Sequence, residues 1–475
     1  MKAAAEREVK LRPGPGLRRI ELDGRPIADR TLTSIYHDTD DLRLARAGIT
    51  LRLRLSGEEA VWQLKLPRDA ARDELEWPAP SRRVPREVKA LLVAHTRGRP
   101  LVAVATLRTE RSGVVVTDGG VDIAEVVDDH VEVLADDDAV VDRFEEIEVE
   151  LVDGDQDDLE RLERLLIDAG ARASDAPPKV FRALGGRPRS GVKKQAKGAR
   201  RVLARGLLEQ YAELLAHDPG TRLGVDPEEL HDHRSAVRRL RAQLRAGRPL
   251  LDRTWADDLR GALKRVGRTL APARDLDVLI AQIEKDRKRL PERERRGAAG
   301  VLEALHARRA RAQTDLLAEL SEPWYVSTLN RAEGAVADPR FAGSGSLRRG
   351  VRREHRRARK MVRKLPERPT DAQLHALRRA VRNGRYAAEL AAAGGDRQAR
   401  RYAKRAKALQ DVLGEHQDAV VATAVLTEVG HDLSRPAART ACAALVEIQT
   451  QRRSAARDRV AKGWKRLEAR AVQAR

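Results

Sequence analysis

The sequence is poor in cysteine, in aromatic side chains and in long apolar runs. Its 475 residues include one cysteine, Cys442, which excludes a disulfide framework and a cysteine-rich metal site and is typical of a reducing compartment. No apolar run approaches the roughly 18 residues that cross a membrane, and residues 1–12 lack the apolar centre of a signal peptide. Aromatic residues make up 3% of the chain, which leaves few platforms for stacking single-stranded bases. We therefore expect a cytoplasmic protein with no membrane partner.

Positive charge, in contrast, is abundant and unevenly distributed. The formal net charge is +21, with 31 basic against 38 acidic side chains up to residue 190 and 63 against 35 after it. At roughly 100–200 residues per domain the length suggests several packed units. A mildly acidic half followed by a strongly basic half indicates two modules and a polyanionic partner.

The first half has the pattern of an antiparallel sheet. Short runs in which apolar and polar residues alternate are separated by Gly, Pro and Asp clusters, as expected of strands joined by turns. A basic, glycine-rich stretch at 185–191 then predicts a linker, so we place the first domain at 1–188 and the linker at 189–194. The predicted strands are at 7–12, 50–55, 61–66, 102–107, 113–117 and 145–152, and helices are predicted at 86–95 and 157–169.

The second half, 195–475, is predicted to be all-helical and contains an internal repeat. His231 and His375 are each followed by Arg at the third, seventh and tenth position, and the segments 270–275 and 413–418 align at almost the same offset. Self-similarity at this length favours two copies of one helical bundle over a short-period solenoid. We divide this half into repeats at about 195–335 and 345–470.

Four of the predicted strands combine an apolar face with a face of ionised groups, because alternate residues of a strand point to the same side. An open sheet with one wet face would give the same alternation. Here, however, the carboxylates lie on the first and last of these strands and the bases on the two between. Carboxylates bind hard cations such as Mg²⁺ or Mn²⁺, while Arg and Lys bind phosphate oxygens. The segregation therefore indicates a metal-bound polyphosphate.

An ordered set of motifs resembles the CYTH domain of the triphosphate tunnel metalloenzyme superfamily. It begins with Glu6-x-Glu8-x-Lys10, continues through segments 36–39, 42–48, 51–54 and 62–65, and ends with 146–150 and 179–182. The resemblance implies an α+β first domain, an eight-stranded antiparallel β-barrel tunnel that hydrolyses triphosphate with Mg²⁺ or Mn²⁺. One departure bears on substrate choice: Leu64 stands where a small hydroxyl residue is expected before Lys65.

Carried over residue by residue, the resemblance assigns two groups of side chains to the tunnel. Glu146 is either a group behind the metal ligands or a general base, and both roles stay open. The implied catalytic and metal-binding residues are Glu6, Glu8, Glu148 and Glu150, and the implied phosphate-binding residues are Lys10, Arg52, Arg54, Lys65, Arg111, Lys179 and Arg182.

The helical half carries stripes of basic residues. At about 100° per residue, a histidine and the arginines three, seven and ten positions later share one side of a helix, and a helix at 347–365 has further arginines on one side. Crowded cations repel one another unless an anion lies between them, although a solvated basic face would show the same pattern. The candidate polyphosphate-binding residues are His231, Arg234, Arg238, Arg241, His375, Arg378, Arg382, Arg385, Arg352 and Arg356.

The doubled histidine motif resembles the CHAD domain, the conserved-histidine helical domain often fused behind CYTH. The matching segments are 230–241 and 374–386, within a likeness that covers about 195–470. The resemblance implies two four-helix bundles that bind inorganic polyphosphate in a basic groove, which in cells can take a protein to polyphosphate granules. In the first copy Ala271 and Pro272 replace the glycine region of the family.

Together these features predict a tunnel that hydrolyses short phosphate chains, including tripolyphosphate, and helices that hold long ones. One alternative is a protein that docks on polyphosphate with weak or no catalysis. Another is a nucleic-acid-associated basic protein, because a basic patch attracts RNA or DNA as well. Adenylate cyclase or thiamine-triphosphatase activity is a further alternative on the same fold, and the oligomeric state stays open.

Overall fold

The computed structural model describes residues 2–17, 22–67, 72–174, 178–186 and 197–469, of which 2–6 and 72 are described by their backbone alone. The predicted linker at 189–194 lies outside these residues. The chain divides into two compact units, Met1–Ser190 and Gly191–Arg475. Within the described ranges, no helix has both the length and the apolar character that crossing a membrane requires.

The first unit is built on one antiparallel sheet of ten strands. In chain order these are β1 Lys2–Glu6, β2 Glu8–Arg12, β3 Gly24–Asp38, β4 Thr50–Ser56, β5 Glu59–Pro67, β6 Arg72–Pro78, β7 Val102–Asp118, β8 Val121–Leu134, β9 Val140–Leu151 and β10 Arg172–Ala173. The strands are hydrogen-bonded in the order β1-β6-β5-β4-β3-β7-β8-β9-β2-β10.

The prediction of a closed eight-stranded barrel is wrong, because this sheet has ten strands and two free edges, β1 and β10. Only Arg7 separates β1 from β2, yet β1 pairs with β6 and β2 pairs with β9. The continuous segment 2–12 therefore pairs with strands at both ends of the strand order. The sheet must curl to allow this, and its inner face surrounds a cavity.

Short helices cover the outer face of the sheet and complete the core. These are α1 Arg43–Ala47, α2 Arg86–Leu91, α3 Val93–Thr96, α4 Gln156–Asp168 and α5 Lys179–Ala183. The side chain of Asp155 caps α4, whose leucines pack against Leu11 and Val149. Phe181 of α5 is buried beside Tyr36, and this packing fixes the start of α5 near the cavity.

The second unit consists of helices. They are α6 Gly198–Ala216, α7 Asp218–Leu223, α8 Pro227–Ala246, α9 Arg253–Thr269, α10 Ala271–Arg287, α11 Glu292–Ser321, α12 Pro323–Ala337, α13 Leu347–Val362, α14 Asp371–Ala393, α15 Arg397–Asp432 and α16 Pro436–Glu468. The predicted boundary between the repeats, at about 335–345, falls at the junction of α12 and α13. The division into two four-helix bundles stays a prediction.

The two copies of the histidine motif lie on α8 and α14, and the two copies of the second repeated segment lie on α10 and α15. One apolar core contains Leu279 of α10, Val301 of α11, Leu426 of α15 and Leu445 of α16. Helices from both sequence repeats thus share a core, to which α10 and α15 both contribute.

Candidate functional site

A cavity of about 200 Å³ lies on the inner face of the curled sheet. Nine of the eleven side chains predicted for the tunnel line it. The side chain of Glu6 lies outside the described residues, and Arg182 is exposed, with its guanidinium 4.1 Å from the centre of the Phe144 ring. The predicted residues in the lining are Glu8, Lys10, Arg52, Arg54, Lys65, Arg111, Glu148, Glu150 and Lys179.

Strand register explains why charged residues distant in sequence face one another. Thr50 of β4 pairs with Lys65 of β5, which pairs with Glu74 of β6. One row further, Arg52 pairs with Gln63, whose opposite neighbour is Glu76. Each of these two rows of paired residues therefore reaches a carboxylate on β6. Both carboxylates, Glu74 and Glu76, line the cavity.

Acidic residues on β9, β2 and β6 form one side of the cavity, while β4, β5 and β7 supply most of its cations. Within the acidic side, the Lys10 Nζ stands among three carboxylates. It binds Glu148, and it lies 3.4 Å from Glu8 and 3.5 Å from Glu146. An ammonium group thus occupies the centre of the carboxylate cluster.

A buried carboxylate that the sequence did not single out, Asp129, positions two cavity cations. The Arg111 guanidinium donates to it through Nε at 2.7 Å and Nη2 at 2.6 Å, and Lys179 also binds it. Arg111 Nη2 reaches Glu148 at 2.7 Å as well, and Lys179 Nζ lies 3.1 Å from the same carboxylate. Asp129 therefore links β7 and α5 to the acidic side of the cavity.

Neighbouring charged groups of the cavity differ in the direction of their pKa shifts. Burial alone would raise the pKa of Glu148, but Lys10, Lys179 and Arg111 hold it well below its usual range. Burial raises the pKa of Glu146. Burial and neighbouring cations lower the pKa of Arg54 to about 10. Glu148 is thus a fixed anion, and Arg54 carries a charge that gains from a facing anion.

The carboxylates fit a hard divalent cation in donor type and charge. Within the described residues, no three acidic or imidazole side chains yet stand close enough to form a ready metal site. The Oε2 atom of Glu146 is buried and accepts no hydrogen bond from any described residue. In the cavity lining, a cation that displaces the Lys10 ammonium would have Glu8, Glu148 and Glu150 as oxygen donors.

Six lining residues were also not among the predicted site residues: Tyr36, Thr50, Gln63, Glu74, Glu76 and Pro178. Glu76 alternates with Glu74 on β6, so the same period-2 pattern could have identified it. The side chain of Gln63 accepts from Arg52 Nε at 2.7 Å and donates to Glu76. Gln63 therefore bridges Arg52 of β4 and Glu76 of β6.

The helical unit contains a separate groove of about 420 Å³. Its walls come from α8, α10, α14 and α15, with Gly267 at the end of α9. Seven of the ten predicted polyphosphate-binding residues line it: His231, Arg234, Arg238, Arg241, His375, Arg378 and Arg382.

The two sequence repeats contribute equivalent positions to this groove. The histidine motifs supply three equivalent pairs at an offset of 144 residues, from His231 with His375 to Arg238 with Arg382. Helices α10 and α15 supply further pairs at an offset of 143, among them Asp275 with Asp418. The groove therefore has nearly the same lining when read from either copy.

Contacts within the groove orient its cations. Asp275 lies 3.1 Å from the Arg234 guanidinium, and Asp418 lies 3.9 Å from that of Arg378. Arg238 Nε donates to the hydroxyl of Tyr386 at 2.9 Å. These contacts use only part of the hydrogen-bonding capacity of the guanidinium groups.

Some of the remaining capacity has no acceptor in the described part of the chain. Among the described residues, the buried Nε atoms of Arg241, Arg378 and Arg382 have no hydrogen-bond partner. Burial, together with Arg238 and other nearby cations, lowers the pKa of Arg382 to about 10. Burial likewise lowers the pKa of Arg234, although Asp275 opposes that shift. The groove thus holds positive charge that favours a bound anion.

Three predicted residues lie elsewhere. Arg385 is buried, with its guanidinium 4.6 Å from the Tyr386 ring and 3.5 Å from Glu389. Arg352 and Arg356 lie on α13 and do not line the groove. Sequence reasoning missed the lining residues Arg274, Gln282, Gln410 and Gln417; Arg274 and Gln417 precede the two repeated aspartates and could have been found from the repeat.

Comparison with known families adds two matches. A model of the CYTH domain matches residues 4–173, and a model of the CHAD domain matches residues 205–427. An uncharacterized protein of Mycobacterium tuberculosis is 30% identical over 423 residues, which span 82% of this chain and 80% of the relative.

Two solved structures resemble part of the chain. PptA from Streptomyces chartreusis is 23% identical with a TM-score of 0.49, and the match covers 57% of this chain and all of that one. The CHAD domain from the plant Ricinus communis is 26% identical with a TM-score of 0.48, and the match covers 60% of this chain and 98% of that one.

Proposed function

Because this chain belongs to the family of proteins that join a CYTH domain to a CHAD domain, we propose that it acts on inorganic polyphosphate at two sites. The sheet cavity is a metal-dependent triphosphatase that hydrolyses tripolyphosphate. The groove of the helical unit binds long-chain polyphosphate and targets the protein to polyphosphate granules. The location that goes with this function is the cytoplasm.

One observation carries the proposal for the cavity: five carboxylates and six cations line the same small space. A site for an anionic ligand alone would gain nothing from carboxylates, because like charges repel. A site for a cation alone would gain nothing from arginines. A phosphate chain that arrives with a divalent cation would use both sets of side chains, the carboxylates for the cation and the basic groups for the phosphates.

The cavity side chains take separate metal-binding and phosphate-binding roles in this hydrolysis. Glu8, Glu148 and Glu150, with Glu6 as a further candidate, would hold Mg²⁺ or Mn²⁺, which supplies charge neutralisation and a positioned water. Arg52, Arg54 and Lys65 face the phosphate oxygens. Asp129 holds Arg111 and Lys179 in fixed orientations, and preorganised cations stabilise the charge that develops in phosphoryl transfer.

The repeated lining of the groove supports polyphosphate over nucleic acid. A linear polyphosphate reads the same from either end, as the two equivalent halves of the groove do, whereas a nucleic-acid strand has a 5′ to 3′ direction. Among the described lining residues there is no Phe, Tyr or Trp, and the rings that line the groove are the imidazoles of His231 and His375, so platforms for stacking bases are few. Arg234, Arg238 and Arg382 are the central phosphate-binding residues.

Phosphate release from tripolyphosphate with Mg²⁺ or Mn²⁺ tests the cavity. Glu148→Gln should reduce the rate by at least about 100-fold, as loss of a group that acts on the transition state does. Glu145→Gln is the matched control, because Glu145 is exposed on the same strand and points away from the cavity. If the wild-type protein releases no phosphate with any divalent metal, catalysis is refuted.

The second candidate function, docking on polyphosphate without catalysis, is favoured by the close pairing of Lys10 with Glu148 in the cavity. Long-chain polyphosphate binding and phosphate release, both measured on the full chain, distinguish the two candidate functions. A protein that binds the chain but releases no phosphate is a docking protein. One in which Arg234→Gln and Arg378→Gln leave binding unchanged does not use the groove.

A further inference from the structure

The outward side of α13 carries a row of basic residues that lies outside the groove. The helix buries Leu347, Val351, His355 and Ala358 against its neighbours. At about 100° per residue the opposite residues fall within one narrow stripe. We call this stripe the α13 ridge; it consists of Arg349, Arg352, Arg356, Lys360 and Arg363.

None of the five ridge residues has a carboxylate partner among the described residues, whereas three other arginines of α13 do. Arg348 binds Asp396 at 2.8 Å, and Arg359 binds Glu468 at 3.0 Å. Like charges spaced four residues apart destabilise a helix. The ridge therefore carries a repulsion that a bound polyanion would relieve.

The buried face of α13, opposite the ridge, packs against the end of α8 that lies beyond the groove. On α8 the groove stripe finishes at Arg241, and one turn further Arg245 Nη2 lies 2.9 Å from Glu354 of α13. The backbone of Gly350 packs so closely that an added Cβ would lie 2.6 Å from the Ala246 carbonyl oxygen. The contact at Arg245 and the contact at Gly350 together hold the first turns of α13 against the end of α8.

We propose that the α13 ridge binds the part of a long polyphosphate chain that leaves the groove at its Arg241 end. This inference rests on the proposed function of the groove. The ridge spans about 21 Å at 1.5 Å per residue, against about 15 Å for the groove stripe of α8. Single exposed cations bind weakly, but several in a row release counterions from a polyanion together.

The test uses the full chain with Arg54→Gln and Lys65→Gln, which weakens the sheet cavity so that binding reports on the helical unit. The probes, used without divalent metal, are tripolyphosphate, which is too short to reach from the groove to the ridge, and a polyphosphate of many tens of phosphates. The ridge variant changes Arg352, Arg356, Lys360 and Arg363 to Gln.

Two matched variants remove the same number of charges elsewhere. The groove variant changes Arg234, Arg238, Arg378 and Arg382 to Gln. The control changes four exposed residues at the far end of the unit to Gln: Lys288, Arg293, Arg296 and Arg435. Arg435 caps α16 about 44 Å along that helix from Trp464, which stacks on His355 of α13.

The ridge variant should lose about tenfold in affinity for the long chain, as four weak surface pairs would give, and nothing for tripolyphosphate. Its salt dependence should flatten by about 3 in log–log slope, taking roughly 0.7 per contact. Equal losses in the ridge and control variants overturn the proposal, as does a loss for tripolyphosphate or equal competition by single-stranded DNA. Unchanged tripolyphosphate binding in the groove variant instead refutes the groove itself.

Discussion

Replacing Arg382 by methionine should make the ligand-free protein more stable. This guanidinium sits among like charges in the groove, and its pKa falls from the ordinary 12.5 to about 10. A lower pKa in the folded state means that the folded chain holds this proton less tightly than the unfolded chain. At neutral pH the charge is present in both states, so it opposes folding at every accessible pH.

The size of the effect follows from the same shift. One pKa unit corresponds to about 1.4 kcal/mol, so the charged guanidinium costs the ligand-free fold about 3 kcal/mol at most. Methionine keeps an apolar stem of similar length. Since part of that cost is offset by lost packing, we expect the free energy of unfolding to rise by about 1–3 kcal/mol, or roughly 2–6 °C in Tm.

Thermal unfolding followed by helical circular dichroism measures this, with and without long-chain polyphosphate. Arg356→Met on the exposed side of α13 is the control and should change stability by no more than about 0.5 kcal/mol. Polyphosphate should stabilise the wild-type protein more than the variant, because binding to the folded state raises its stability. An Arg382→Met protein that melts below the wild type would refute the reasoning.

Three further predictions concern other parts of the molecule. His233 is fully buried, and burial lowers its pKa to about 4. The free energy of unfolding should therefore be complete above pH 6.5 and fall by about 3 kcal/mol towards pH 4. Urea unfolding across this pH range measures the fall, and His233→Gln should abolish it. The pKa of Glu148 is depressed, so its contribution is present above pH 4.5 and lost below; hydrogen exchange of β9 amides should become less acid-sensitive in Glu148→Gln. Single-stranded DNA of equal charge should displace polyphosphate from the groove at least about tenfold less well, and equal displacement would favour the nucleic-acid alternative.

Local patterning predicted helices better than strand boundaries. The helix predicted at 157–169 is α4, because an apolar stripe and an Asp cap both signal it. The runs predicted at 102–107 and 113–117 form one strand, β7. The intervening segment 108–112 is rich in charged residues and looks like a break, but every residue in it pairs with β8. Strand β3 was missed because its first half is polar and exposed.

The candidate sites could be predicted where alternation or repetition determines which residues share a face. Period-2 spacing placed Arg52 and Arg54 in one cavity, and the repeat placed Arg234 and Arg378 in one groove. Asp129 escaped because its role depends on partners 18 and 50 residues away in the chain. Sequence spacing alone carries no signal for such long-range pairs.

The sheet cavity is assembled from segments that leave the ribosome far apart in time. Lys10 and Glu148 are separated by 138 residues, and Lys179 joins them only after a further 31. Non-local pairing of this kind slows folding. During synthesis Asp129 and Glu148 therefore leave the ribosome before their shared partner Lys179, and until then the nascent cavity has one cation fewer than the finished one.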